Sequence, residues 1–162
     1  MQAPQQIKPT KLADYLEVMT KAVFQSGMSW AVIEAKWDGF REAFAEFDPA
    51  AVAAFSGEDV DRLAEDTRII RNRRKIEATV TNAETMLTLD GGSGGFTGWL
   101  RSHADFEATV AALRGEFRFL GDTGTYFFLY VVGERVPPHE EWMQAHASTA
   151  HRASAPRPAR KT

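Results

Sequence analysis

Ser29-Trp30-Ala31-Val32-Ile33-Glu34-Ala35-Lys36-Trp37-Asp38-Gly39-Phe40-Arg41-Glu42-Ala43-Phe44-Ala45-Glu46-Phe47 sets the fold class. Trp30, Ile33, Trp37, Phe40, Phe44 and Phe47 follow one another at intervals of three and four. That spacing lines one face of an α-helix and puts the charged residues between them on the other. Ser29 is placed to cap the helix, because its hydroxyl can accept from a free amide of the first turn. The stripe predicts a long amphipathic helix with a strongly aromatic buried face.

Working outward, the same grammar repeats. Upstream, Thr10 is a cap for a helix with Leu12, Tyr15, Leu16, Met19 and Val23 inward, ending near Gly27. Downstream, Asp48-Pro49 reads as a cap followed by a first-turn proline. Ser56-Gly57-Glu58-Asp59 resembles a capping box, with Val60 and Leu63 inward. Ile76, Val80, Ala83, Met86 and Leu87 mark a longer helix that stops at Leu89-Asp90-Gly91-Gly92, before the loop Gly91-Gly92-Ser93-Gly94-Gly95. Phe96, Trp99 and Leu100 begin a short helical piece, and residues 105–114 form another helix. Phe117-Arg118-Phe119-Leu120 leads into a tight turn at Gly121-Asp122-Thr123-Gly124. The apolar run Tyr126 to Val132 reads as a buried helix, with a strand as the alternative, and Pro137-Pro138 ends it. The expectation is an all-α domain over residues 10–145. Residues 1–9 and 146–162 are polar or rich in Ala, Ser, Pro and Arg, and read as a disordered N-terminus and a disordered basic tail.

The chain has 162 residues, 44% of them hydrophobic and 11% aromatic, enough for one domain with a core of its own. It has no cysteine, which removes disulfides and every thiolate metal site. No apolar run approaches the roughly 20 residues that span a bilayer. The start Met1-Gln2-Ala3-Pro4-Gln5-Gln6 has no secretory pattern, so a cytoplasmic protein is expected. The net charge of -3 argues against a general nucleic-acid binder.

Against that balance stands Arg68-Ile69-Ile70-Arg71-Asn72-Arg73-Arg74-Lys75-Ile76, in which five of nine residues are basic. A basic turn between helices suits a polyanion, but taken alone it reads first as a solvated charged face. The turn at Gly121-Gly124 lets backbone amides approach a ligand, and a plain helix connection also explains it. Trp30 continues the apolar stripe and reads as core. The four histidines, His103, His139, His146 and His151, do not pair at ligand spacing, and no phosphate-loop or nucleophile-elbow motif occurs. No cofactor is expected.

A set of short runs occurs in a fixed order. They are Phe24-Gln25-Ser26-Gly27-Met28-Ser29-Trp30, Phe40-Arg41-Glu42-Ala43-Phe44, Phe47-Asp48-Pro49 with Val52-Ala53-Ala54-Phe55, and Ile69-Ile70-Arg71-Asn72-Arg73 with Lys75-Ile76-Glu77-Ala78. Asn82-Ala83 and Phe117-Arg118-Phe119-Leu120-Gly121 follow. Together they resemble the DNA 3-methyladenine glycosylase I family, over about residues 15–135. The resemblance implies a helical fold of the helix-hairpin-helix glycosylase superfamily and removal of N3-methylated adenine from DNA in base excision repair. It implies that Trp30 walls a pocket for the flipped base, with Gln25 and Ser29 beside it, and that Met28 wedges into the gap the base leaves. Gly121, Thr123 and Gly124 correspond to a hairpin that grips the DNA backbone, with Arg71, Arg73, Arg74 and Lys75 as a second backbone contact or a support. The implied partner is double-stranded DNA carrying alkylated bases, bound by a monomer associated with the nucleoid.

The departures are as specific. The family's zinc-binding Cys, aromatic-His-Asp and Glu-Trp-Gly runs do not occur, so no metal is expected. The acidic residue that the family places three positions before Gln25 is Ala22 here. No catalytic carboxylate is identified; Asp105 lies too early, and Glu140 and Glu141 match only loosely. Two functions follow, a divergent glycosylase and a catalytically weakened or inactive DNA- or lesion-binding homologue. Binding of an unrelated small molecule is a third.

Overall fold

The computed structural model describes residues 3–154, and among them every regular element is helical. The order is α1 (Leu12–Gln25), α2 (Trp30–Ala43), a 3-10 turn (Ala45–Phe47), α3 (Pro49–Ala53), α4 (Gly57–Leu63), α5 (Arg73–Asp90), α6 (Gly95–Leu100), α7 (Phe106–Glu116), α8 (Asp122–Val131) and α9 (His139–Ser154). Helix α1 is the central post. Its Leu16, Met19, Val23 and Phe24 are fully buried, and it packs against α2, α5 and α8. Helix α5 lies beside it and carries α3, α4 and α6 on its flanks.

Local chemistry explains most boundaries. Ser29 accepts from the Val32 amide at 3.3 Å and starts α2. Asp48 accepts from Ala50 N ahead of Pro49. Ser56 and Asp59 form the reciprocal capping box at α4. Asn72 caps α5 through Lys75 N. Helix α1 differs from expectation: it begins at Leu12, and Thr10 is a donor, giving its amide to the Asp14 carboxylate at 2.9 Å.

The aromatic stripe holds, but not as one helix. Helix α2 ends at Ala43, and Ala45, Glu46 and Phe47 take left-handed φ of 53°, 56° and 59°. Such backbone is strained outside glycine and survives where packing over-determines it. Here Trp37, Phe40, Phe44 and Phe47 stack in near-parallel pairs 4.8–6.2 Å apart. The turn lets Phe47 stay in that stack while the chain reverses into α3.

Both ends carry described structure. The N-terminal segment is not loose: Ile7 N donates to Val131 O at 2.8 Å and Gln6 Nε2 to Tyr130 O at 2.9 Å, so it runs along the end of α8. The chain also stays helical past residue 145, to Ser154. Glu140 and Glu141 occupy the first turn of α9, favourable to its dipole, and Trp142 stacks on Tyr126 at 4.2 Å. Residues 155–162, with Arg157, Arg160 and Lys161 of the expected basic tail, lie outside the described residues. The run from Tyr126 is a helix that stops at Val131, before Gly133 at φ 81° and well short of the prolines.

Candidate functional site

The junction of α1 and α2 is built by a turn that only a few residue types allow. Gly27 sits at φ 79°, Met28 N donates to Gln25 O at 2.9 Å, and Ser29 then caps α2. The turn delivers Trp30 as the first residue of α2. Trp30 is half-buried, not core, and its ring lies 4.7 Å from that of Phe127 on α8. The helix stripe misplaces it because spacing marks the face a residue occupies and not how fully its neighbours cover it. Met28 is half-buried against the core, Gln25 is half-buried at the end of α1, and Ser29 is exposed with its hydroxyl committed to the cap.

Helix α8 meets α1 at the same place. A Cβ built on Gly124 would stand 3.6 Å from the Ala22 Cβ, and Ala22 is 1% exposed. The two helices pack closely here, and a methyl added at Gly124 would meet Ala22 at an ordinary van der Waals distance. Phe127, three residues on and on the same face of α8, supplies the second ring. Sequence reasoning passed over Phe127, since it sits inside a uniformly apolar run; its spacing from Gly124 was the available signal.

The α7–α8 hairpin is pinned from behind. Asn82 is buried, donates from Nδ2 to Arg118 O at 3.1 Å and accepts from Arg118 N at 2.8 Å. Phe119 then takes φ 59° and turns outward, 45% exposed. Gly121 stands at the cap position of α8, so no side chain takes up the first-turn amides, and Thr125 N is the first to bond back, to Gly121 O. Gly121, Asp122 and Thr123 are exposed. A helix start of this kind presents free N–H groups to an anion. Asp122 would oppose one, but Arg114 binds its carboxylate at 2.7 Å. A shallow groove of about 560 Å³ runs along this hairpin to Ser26 at the end of α1.

The basic turn divides into engaged and unengaged charges. Arg68 is held by Asp66 and Glu42, and the pairing holds the Asp66 carboxyl below its ordinary range. Arg73 bonds Asp61 at 2.7 Å and lies within reach of Glu77. Lys75 is a correction: it is 6% exposed, and its ammonium donates to Phe24 O at 3.0 Å and Ser26 O at 2.6 Å. A side chain buried against the end of α1 is not available to a phosphate. Arg71 and Arg74 are exposed and form no ion pair among the described residues. Both lie beside the N-terminus of α5, the wrong end for cations by its dipole, so their placement is not explained by helix stability.

The zinc implied by the resemblance does not fit. The sequence has no cysteine, and among the described residues no group of three His, Asp or Glu side chains converges. Glu140 and Glu141 are exposed in α9, and Asp105 caps α7 through Ala108 N. Among the described residues no helix is long and apolar enough to cross a membrane.

The family model described as methyladenine glycosylase matches residues 9–116. The chain is 31% identical over 130 residues to DNA-3-methyladenine glycosylase 1 of Escherichia coli strain K12, an alignment covering 67% of this chain and 70% of that one. It is 28% identical over 130 residues to DNA-3-methyladenine glycosylase of Haemophilus influenzae, with the same shares covered. Among solved structures, a crystal structure of 3-methyladenine DNA glycosylase I superposes with a TM-score of 0.68 at 28% identity, covering 78% of this chain and 81% of that chain.

Proposed function

Because the chain belongs to the methyladenine glycosylase family, we propose that it is a DNA glycosylase that hydrolyses the N-glycosidic bond of N3-methylated adenine. The observation that carries this reading is the family match over residues 9–116, which takes in the α1–α2 junction and the basic turn. The substrate is double-stranded DNA, bound by a monomer in the cytoplasm, on the nucleoid.

The target base leaves the stack, at a cost of a few kcal/mol that is lowest for a damaged base. Trp30 stacks on it, with Gln25 and Ser29 beside the ring, and Met28 enters the gap in the duplex. The free amides of Gly121, Thr123 and Gly124 and the side chains of Arg71 and Arg74 hold the phosphates on either side. Arg73, already paired with Asp61, supports that surface.

Methylation at N3 gives the purine a positive charge. The C1′–N bond breaks with its electron pair going to the base, which departs as neutral 3-methyladenine. Water bonds to C1′ through oxygen and loses a proton, leaving an abasic site. A base that departs without prior protonation needs no strong general acid. This is consistent with Ala22 standing where the family resemblance places a carboxylate.

Incubation with methylated duplex followed by alkaline cleavage at abasic sites tests the reading. Strand breaks above the protein-free rate are expected. Tight binding of the duplex without breaks would replace the glycosylase by a lesion-binding protein.

A further inference from the structure

Lys75 is the buried charged side chain of the described core, and nothing in the proposed chemistry uses it directly. It projects from the first turn of α5, where its charge opposes that helix's dipole. Its ammonium reaches instead to the C-terminal end of α1, where a cation is favoured and the last carbonyls lack helical partners. There it takes Phe24 O and Ser26 O, while Gln25 O accepts from Met28 N. Three successive carbonyls are thus committed immediately before Gly27 reverses the chain at φ 79°. Two residues after that reversal comes the Ser29 cap, and then Trp30. The backbone between the ammonium and the indole has no unrestrained turn.

We infer, on the basis of the glycosylase reading above, that Lys75 is the positioning residue of the base pocket, holding through the Phe24 and Ser26 carbonyls the turn that sets Met28 and Trp30. Burial costs a lysine its hydration, and burial alone pushes this ammonium below its ordinary range, with no carboxylate from α1, α3, α4 or α6 opposite it. A charge kept without a counter-ion is retained for the geometry of its hydrogen bonds. A methionine fills much of the same space and supplies no donor.

The test is Lys75→Met, assayed on methylated duplex under single-turnover conditions beside duplex affinity and its salt dependence. The excision step should fall about ten- to a hundred-fold, the scale of a small misplacement of a positioned group. Duplex affinity and salt slope should not change. Excision at the wild-type rate by folded Lys75→Met overturns the inference. So does a parallel loss of affinity with a shallower salt slope, which would make Lys75 a phosphate contact. Should Lys75→Met not fold, the unaltered protein is titrated with 3-methyladenine and followed by NMR. The Lys75 ammonium signal should then move together with the Trp30 indole signal. An indole that moves while the ammonium stays fixed overturns the inference. If neither moves and the wild type releases no base, the glycosylase reading has failed instead.

Discussion

Trp30 has one part of its ring against Phe127, at 4.7 Å, and another part uncovered. Stacking of a base on an aromatic side chain is worth roughly 1–3 kcal/mol. Trp30→Ala is therefore expected to slow excision about ten- to a hundred-fold, measured at saturating enzyme, with duplex affinity nearly intact because phosphate contacts dominate it. Arg71 and Arg74 should behave in the opposite way. Replacing either with Gln should weaken binding to every duplex alike and reduce the salt slope by about one unit. An unchanged slope would make that arginine a solvated surface charge. The sequence offered Arg71, Arg73, Arg74 and Lys75 as one group with Arg71 as the candidate for a buried role, and the structure buries Lys75 and exposes Arg71. Which of them are engaged depends on Asp61 and on the carbonyls of Phe24 and Ser26, which lie far from Arg73 and Lys75 in the chain. Periodicity likewise assigned Trp30 to the core, because spacing records which face a residue occupies and not how fully its neighbours cover it.

Helix α2 shows how much at the level of an element was legible. Its cap, its stripe and its stacked aromatics follow from the intervals between Trp30 and Phe47. The left-handed turn at Ala45–Phe47 does not, since nothing in those side chains favours positive φ, and only the stack they complete holds them there. The capping box at Ser56 and the Asp48-Pro49 start were readable because they act within one turn. The docking of residues 6 and 7 along α8, and the extension of α9, were not, because both depend on distant partners such as Val131 and Tyr126. Gly39, in the middle of α2, looks like a defect in sequence and is a contact in space. A Cβ there would lie 2.3 Å from Arg68 O and 2.9 Å from Arg68 Cβ. Gly39→Ala gains helix propensity but forces α2 away from the basic turn. Over-packing of this kind costs about 1–3 kcal/mol, and a thermal melt should show a fall of roughly 3–10 °C. A variant as stable as the wild type would mean that the turn yields freely, and would remove it as a rigid platform for Arg71 and Arg74.

Across the whole molecule, a chain of net charge -3 exposes Arg71 and Arg74, which form no ion pair among the described residues, and a groove joins the α7–α8 turn to Ser26 at the end of α1. A net negative chain disfavours indiscriminate attachment to DNA, which makes a local set of contacts the natural place to look for binding. The sequence has no cysteine and has Ala22 where the family resemblance implies a carboxylate, while Trp30 lies against Phe127 and α8 starts with uncapped amides. The account therefore rests catalysis on holding a cationic, already labile base and not on acid or metal chemistry. The most direct measurement is chromatographic identification of the base set free when the purified chain is incubated with alkylated duplex. Free 3-methyladenine is expected, accumulating with one abasic site per base and faster than in duplex alone. Alkylated duplex that is bound by the protein yet yields no 3-methyladenine above the protein-free rate would contradict it.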